Sequence, residues 1–130
     1  DLKVNMHREG DVVVVAFDGE VDVYTAPTVR DAISKVLAAG HHNIVADLRD
    51  VGFLDSTGLG VLVGRLKAVR LLEGQMRVVI TNPHVLRNFK ITGLDNIFAI
   101  DTDVDSSVAA ISKFRGTARS RRRASMSAVR

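Results

Sequence analysis

The feature that most constrains this chain is a hydrophobic period that switches repeatedly between that of a strand and that of a helix, with turn residues at each switch. Leu2, Val4 and Met6 alternate with Lys3, Asn5 and His7, the pattern of a half-buried strand. Arg8-Glu9-Gly10-Asp11 is turn chemistry, so the apolar run 12–17 is expected to fold back as a hairpin partner. That run is apolar on both faces, as in a covered strand, and Asp18-Gly19-Glu20 is expected to end it. Val29, Ala32, Ile33, Val36 and Leu37 then recur at helical spacing, with Thr25 placed to cap, Pro27 in the first turn and Gly40 closing the helix.

A short strand is expected over 43–48, followed by Asp50-Val51-Gly52 leading to Asp55-Ser56-Thr57-Gly58-Leu59-Gly60. Leu59, Leu62, Val63, Leu66 and Val69 line a second helix, stopped by Glu73-Gly74. The period predicts a strand over 76–80 and a third helix from Asn82-Pro83 to about Thr92-Gly93. A brief strand over 97–100 and a last helix capped by Thr102-Asp103, with Val104, Val108, Ile111 and Phe114, complete the order ββ-α-β-α-β-α-β-α. This order predicts an α/β fold with a mixed, mostly parallel sheet, an N-terminal antiparallel edge hairpin and about four helices.

With 130 residues, 46% of them hydrophobic, the chain has the material for one domain. The formal charge of +3 is unevenly placed. Residues 115–130 carry six arginines and no acid, whereas 1–114 hold twelve Lys/Arg against fifteen Asp/Glu. The expected domain is therefore 1–114, mildly acidic, followed by a disordered Arg/Ser-rich tail over 115–130. Within the tail, Arg121-Arg122-Arg123-Ala124-Ser125 resembles the basic consensus of some serine kinases.

An acidic body with one Tyr and no Trp does not suit direct nucleic-acid binding. The longest apolar run, 12–17, is far below the ~18 residues of a membrane span, and the N-terminus lacks the apolar core of a signal peptide. Zero cysteines exclude disulfides and thiolate metal sites, and cytoplasmic residence is expected. Neither metal nor cofactor is expected.

Asp55-Ser56-Thr57-Gly58 stands where a strand gives way to a helix, and there the first N–H groups lack intrahelical acceptors. A plain helix cap accounts for one of the three polar side chains, not for all of them. Gly58, Gly60 and Gly64 also lie inside the helix, each lowering its propensity by about 1 kcal/mol relative to Ala. Such spacing points to close approach of another body: the sheet, a ligand or a protein partner.

Residues 53–62, Phe-Leu-Asp-Ser-Thr-Gly-Leu-Gly-Val-Leu, resemble the signature of anti-sigma factor antagonists of the STAS family. Gly19-Glu20-Val21-Asp22 with Thr25-Ala26-Pro27, and Phe89-Lys90-Ile91-Thr92-Gly93-Leu94, resemble two further segments of that family, in the same order. The resemblance spans roughly residues 2–112. It implies that Ser56 is the phosphoacceptor, rather than Thr57. It also implies a partner surface built from Asp22, Thr25, Asp55, Ser56, Thr57, Gly58, Leu59 and Gly60. The implied partners are an anti-sigma factor of the serine-kinase type and a PP2C-type phosphatase. The unmodified chain, a monomer when free, would bind the anti-sigma factor and release a sigma factor, and phosphorylation would end that binding.

Three rivals draw on the same residues. An esterase would need a Gly-x-Ser-x-Gly elbow around Ser56, but position 54 is Leu, and His7, His41, His42 and His84 are poorly placed as its base. The chain is therefore not expected to be an enzyme. The spacing Gly58-x-Gly60-x-x-x-Gly64 departs from both nucleotide-binding loops, which leaves only weak nucleotide binding. Within the family, a scaffold subunit of a stress-signalling assembly is the alternative, distinguished by self-association.

Overall fold

The computed structural model describes residues 1–114, so the tail over 115–130, with its basic segment at 121–125, lies outside the described residues. In chain order the elements are β1 (Leu2–Glu9), β2 (Val12–Val21), α1 (Ala26–Ala38), β3 (Asn43–Leu54) and α2 (Ser56–Leu71). There follow β4 (Gln75–Val79), α3 (Pro83–Ile91), a 3-10 turn (Leu94–Asn96), β5 (Ile100–Asp101) and α4 over 104–114. The sheet order is β1-β2-β3-β4-β5, with β1 antiparallel to β2 and every other pair parallel. This is the expected α/β architecture.

The strand order dictates the layers. Parallel strands laid down in sequence by right-handed crossovers put every crossover helix on the same face. Accordingly Val13, Val15 and Phe17 of β2, Ile44, Ala46 and Leu48 of β3 and Val78 of β4 share one core with residues of α1, α2 and α3. The opposite face is left to α4, whose Ile111 packs on Val12, Val14, Val45 and Val79. Both faces of β2 are therefore covered along 12–15, which is why that run is apolar throughout. An Arg77–Asp101 pair (2.8 and 3.1 Å) joins β4 to β5, and the Ser107 hydroxyl donates to the same Asp101 carboxylate, tying α4 to the sheet edge.

The hairpin closes on Gly10-Asp11, between the paired Glu9 and Val12. Gly10 takes φ +61°, the sign a type II′ turn requires at its first central residue.

Three boundaries differ from expectation. β2 does not stop at Asp18-Gly19-Glu20 but continues to Val21, because register shifts on either side of Asp18-Gly19 let it keep pairing with β3. β3 for the same reason runs past residue 48, with Val51 and Leu54 opposite Gly19 and Val21. The strand expected over 97–100 begins only at Ile100, since the N–H groups of Ile97 and Phe98 turn back to the Leu94 carbonyl.

Candidate functional site

No loop separates β3 from α2. Leu54 is the last strand residue, Asp55 the N-cap and Ser56 the first residue of the helix. Four hydrogen bonds hold this passage. The Asp55 N–H donates to the Val21 carbonyl (3.1 Å), which extends the β2–β3 pairing into the cap. The Leu54 carbonyl accepts from Asn88 Nδ2 of α3 (2.9 Å). Asp55 Oδ1 accepts the Gly58 N–H (3.0 Å), and the Asp55 carbonyl accepts the Leu59 N–H (3.0 Å). The N–H groups of Ser56 and Thr57 take no acceptor among the described residues, and both residues are exposed. A helix start with free N–H groups favours negative charge.

The glycines divide into two kinds. A Cβ on Gly58 would lie 2.5 Å from Leu54 Cδ1 and 2.6 Å from Val21 Cγ1, so the body that approaches Gly58 is the sheet. A Cβ on Gly60 or Gly64 would meet nothing within 4 Å. Packing among the described residues gives no reason for either.

A second structure stands beside the cap. Asp22, one residue beyond Val21, organises the turn from β2 into α1. Its Oδ1 accepts the N–H groups of Tyr24 (2.9 Å) and Thr25 (3.0 Å), and its carbonyl accepts the Ala26 N–H (2.8 Å). The Thr25 N–H, helped by that of Tyr24, holds the Asp22 carboxyl below its ordinary value of 3.8. Thr25 occupies the N-cap of α1, but its side chain does not cap the helix. Thr25 Oγ1 instead accepts the Asp22 N–H (2.9 Å) and donates to the Glu20 carbonyl (2.8 Å), locking the turn from inside.

Of the residues singled out in the sequence, Ser56, Thr57 and Gly60 are exposed at this end of the sheet, and Asp22 and Asp55 are half-buried. Gly58 and Leu59 are buried, Leu59 within the core, and Thr25 is half-buried. The third matching segment is architectural. Phe89 packs edge-on against Phe98 (centroids 5.5 Å apart), the Thr92 hydroxyl donates to the Asn88 carbonyl (2.7 Å), and Gly93 takes φ +73° to end α3. Sequence reasoning missed Asn88 and Val21. Asn88 lies next to the matched Phe89, which was the only signal pointing to it. Val21 lies inside the Gly-Glu-(apolar)-Asp match.

Charge along the two chain segments that meet here is one-sided. Residues 18–29 hold Asp18, Glu20 and Asp22, and residues 50–64 hold Asp50 and Asp55; neither stretch contains a Lys or Arg. Among the described residues no group of three His, Asp or Glu side chains is placed to share a metal ion, and no helix is long and apolar enough to cross a membrane.

The family model for the STAS domain matches residues 3–108. The anti-sigma-B factor antagonist of Bacillus subtilis is 34% identical over 112 residues, covering 83% of this chain and 98% of that protein. The crystal structure of an anti-sigma factor antagonist from Mycobacterium paratuberculosis superposes with a TM-score of 0.81 at 31% identity, covering 86% of this chain and 95% of the other. SpoIIAA, an anti-sigma factor antagonist of Bacillus, shares the fold at 21% identity. Its unphosphorylated form has a TM-score of 0.64 over 88% of this chain and 99% of its own, and its phosphorylated form 0.65 over 84% and 99%.

Proposed function

The chain belongs to the STAS domain family, and on that footing we propose that it is an anti-sigma factor antagonist whose chemical switch is Ser56. The unphosphorylated chain binds an anti-sigma factor in the cytoplasm and so frees a sigma factor for transcription. That anti-sigma factor is an ATP-dependent serine kinase. It phosphorylates Ser56, the complex separates, and a PP2C-type phosphatase restores the binding form. The chain itself is a regulatory binding protein with no catalytic step of its own.

One observation carries this reading: Ser56 is exposed on the first turn of α2, directly after the acid Asp55, whose N–H bonds the carbonyl of Val21 next to Asp22, on backbone held from both sides. A phosphate there adds about −1.5 to −2 charges. The free N–H groups of the helix start accommodate it locally. The two chain segments there, acidic and without a Lys or Arg of their own, become more acidic still. A partner that docks on the unmodified surface meets charge conflict and a desolvation penalty on the modified one. The phosphate thus acts at the interface and leaves the fold in place.

The test is reconstitution with a purified anti-sigma kinase and its sigma factor. Wild type is expected to release sigma until ATP is added. Ser56→Ala is expected to release it with or without ATP and to take up no phosphate, and Ser56→Glu to fail to bind. Stoichiometric labelling of Ser56→Ala, or tight binding by Ser56→Glu, would sink the assignment.

A further inference from the structure

The turn governed by Asp22 presents a feature that the switch does not use. Val23 is 59% exposed and Tyr24 88% exposed, side by side at its apex. A single exposed apolar residue needs no explanation. Here, however, a large ring is held out in solvent by a turn that is not free to move. The Tyr24 N–H is fixed to Asp22 Oδ1, the Thr25 hydroxyl is fixed to the Glu20 carbonyl, and Ala26 closes the turn on the Asp22 carbonyl. Freezing a side chain at an interface ordinarily costs entropy, and a rigid turn has already met the backbone share of that cost. Tyrosine also loses only two side-chain torsions on docking, and it is enriched among the residues that dominate binding energy.

The turn is also rigidly joined to the switch. Val21, immediately before Asp22, accepts the Asp55 N–H through its carbonyl and abuts Gly58 through its side chain. The chain segments that carry turn and switch, 18–29 and 50–64, hold five acids and no Lys or Arg. Whatever seats on them must bring an apolar recess for the ring and positive charge for the rim.

We propose that Val23 and Tyr24 are the apolar anchor by which the anti-sigma factor is held, entering a recess of that partner rimmed by Lys or Arg side chains. This rests on the function proposed above and assigns the labour within it. The anchor supplies most of the affinity, and Ser56 supplies the sign of the charge that permits or forbids docking. A partner of this kind dissociates from the phosphorylated chain although the anchor itself is unaltered, because the rim and the recess must be engaged together.

The experiment uses the full chain and the purified kinase that phosphorylates Ser56. Tyr24 is the only tyrosine, so nitration by tetranitromethane followed by mass analysis reports on this position alone. In the free chain Tyr24 is expected to nitrate readily, and in the complex to be protected. Tyr24→Ala is expected to weaken the complex by roughly 30-fold or more, the range of a binding hot spot. Its melting temperature should match wild type, and phosphorylation should show a raised KM with unchanged kcat. Tyr24→Phe, which keeps the ring, is expected to restore most of the affinity.

The anchor alone is overturned by Tyr24→Ala and Val23→Ala both binding like wild type, or by Tyr24 nitrating in the saturated complex as fast as in the free chain. Protection of Tyr24 in the free chain also overturns it, because the site is then occupied by a second copy or by the arginines of 115–130. Failure of wild type itself to bind the kinase removes the proposed function, and the anchor with it.

Discussion

Asp55 and Gly58 are joined by a hydrogen bond of 3.0 Å from the Gly58 N–H to Asp55 Oδ1, and this bond spans the exposed Ser56 and Thr57. The cap thus uses the two residues on either side of the hydroxyls and leaves the hydroxyls unengaged. Capping and signalling are carried by different side chains. Asp55→Ala is expected to cost about 1 kcal/mol of stability, the usual loss for an N-cap carboxylate. Asp55→Asn should retain most of it. Urea unfolding measures both, and equal stability of the Ala variant and wild type would contradict the assignment.

The three glycines of α2 are expected to respond in opposite directions to the same change. Gly58→Ala gains helix propensity but drives a methyl group against Leu54 and Val21, both buried, at 2.5 and 2.6 Å. Overpacking of that kind costs about 1–3 kcal/mol and outweighs the propensity gain. Gly60→Ala and Gly64→Ala meet nothing, and each is expected to raise stability by up to about 1 kcal/mol. Thermal melts of the three variants decide it.

Acid should loosen the β4–β5 edge in a defined way. The Arg77 guanidinium, with the Ser107 hydroxyl, holds the Asp101 carboxyl below its ordinary value of 3.8. A carboxyl with a lowered folded pKa binds its proton more weakly when folded. Its stabilisation is therefore complete above 3.8 and is lost as pH falls through the lower folded value. Asp101→Asn is expected to be less stable than wild type at neutral pH and to lose less on acidification. Asp22 and Asp103 are shifted in the same direction, so the acid loss is reduced rather than abolished. Urea midpoints taken across the acid range test the sign, and parallel curves for wild type and Asp101→Asn would refute it.

Phosphorylation is expected to leave the domain folded. Ser56 is exposed and engages no partner among the described residues, so Ser56→Glu and stoichiometrically phosphorylated protein should melt close to wild type. A large drop in melting temperature on phosphorylation would move the switch from the interface into the fold.

The order of elements was legible because each change of hydrophobic period coincides with a covered or half-covered surface. Asn82 and Gly93 bound α3 as their residue types predict. The ends of β2 and β3 were not legible. Asp18-Gly19-Glu20 has the composition of a turn, and only the paired strand, through its register shifts, keeps it extended. Thr25 was legible as a helix start but not in its bonding, since its hydroxyl turns back to Glu20. The distinction between Gly58 and its neighbours depends on whether Val21 and Leu54 are close by, which is a property of the packed sheet. Ser56 was found through a matching motif, and its exposure and rigid support came from the structure.

The loop-free passage from Leu54 to Ser56 has a kinetic consequence. The amide of Asp55, bonded to the Val21 carbonyl, exchanges with solvent hydrogen when the β2–β3 pairing opens, and that of Gly58 is held by the cap. The Asp55 amide should persist with the slowest strands, while those of Ser56 and Thr57 exchange at once. A serine mounted this way presents its backbone in one pose to every collision. A partner then need not wait for the site to order, and its capture rate is set by diffusion and charge, leaving the lifetime of the complex as the quantity a phosphate can shorten.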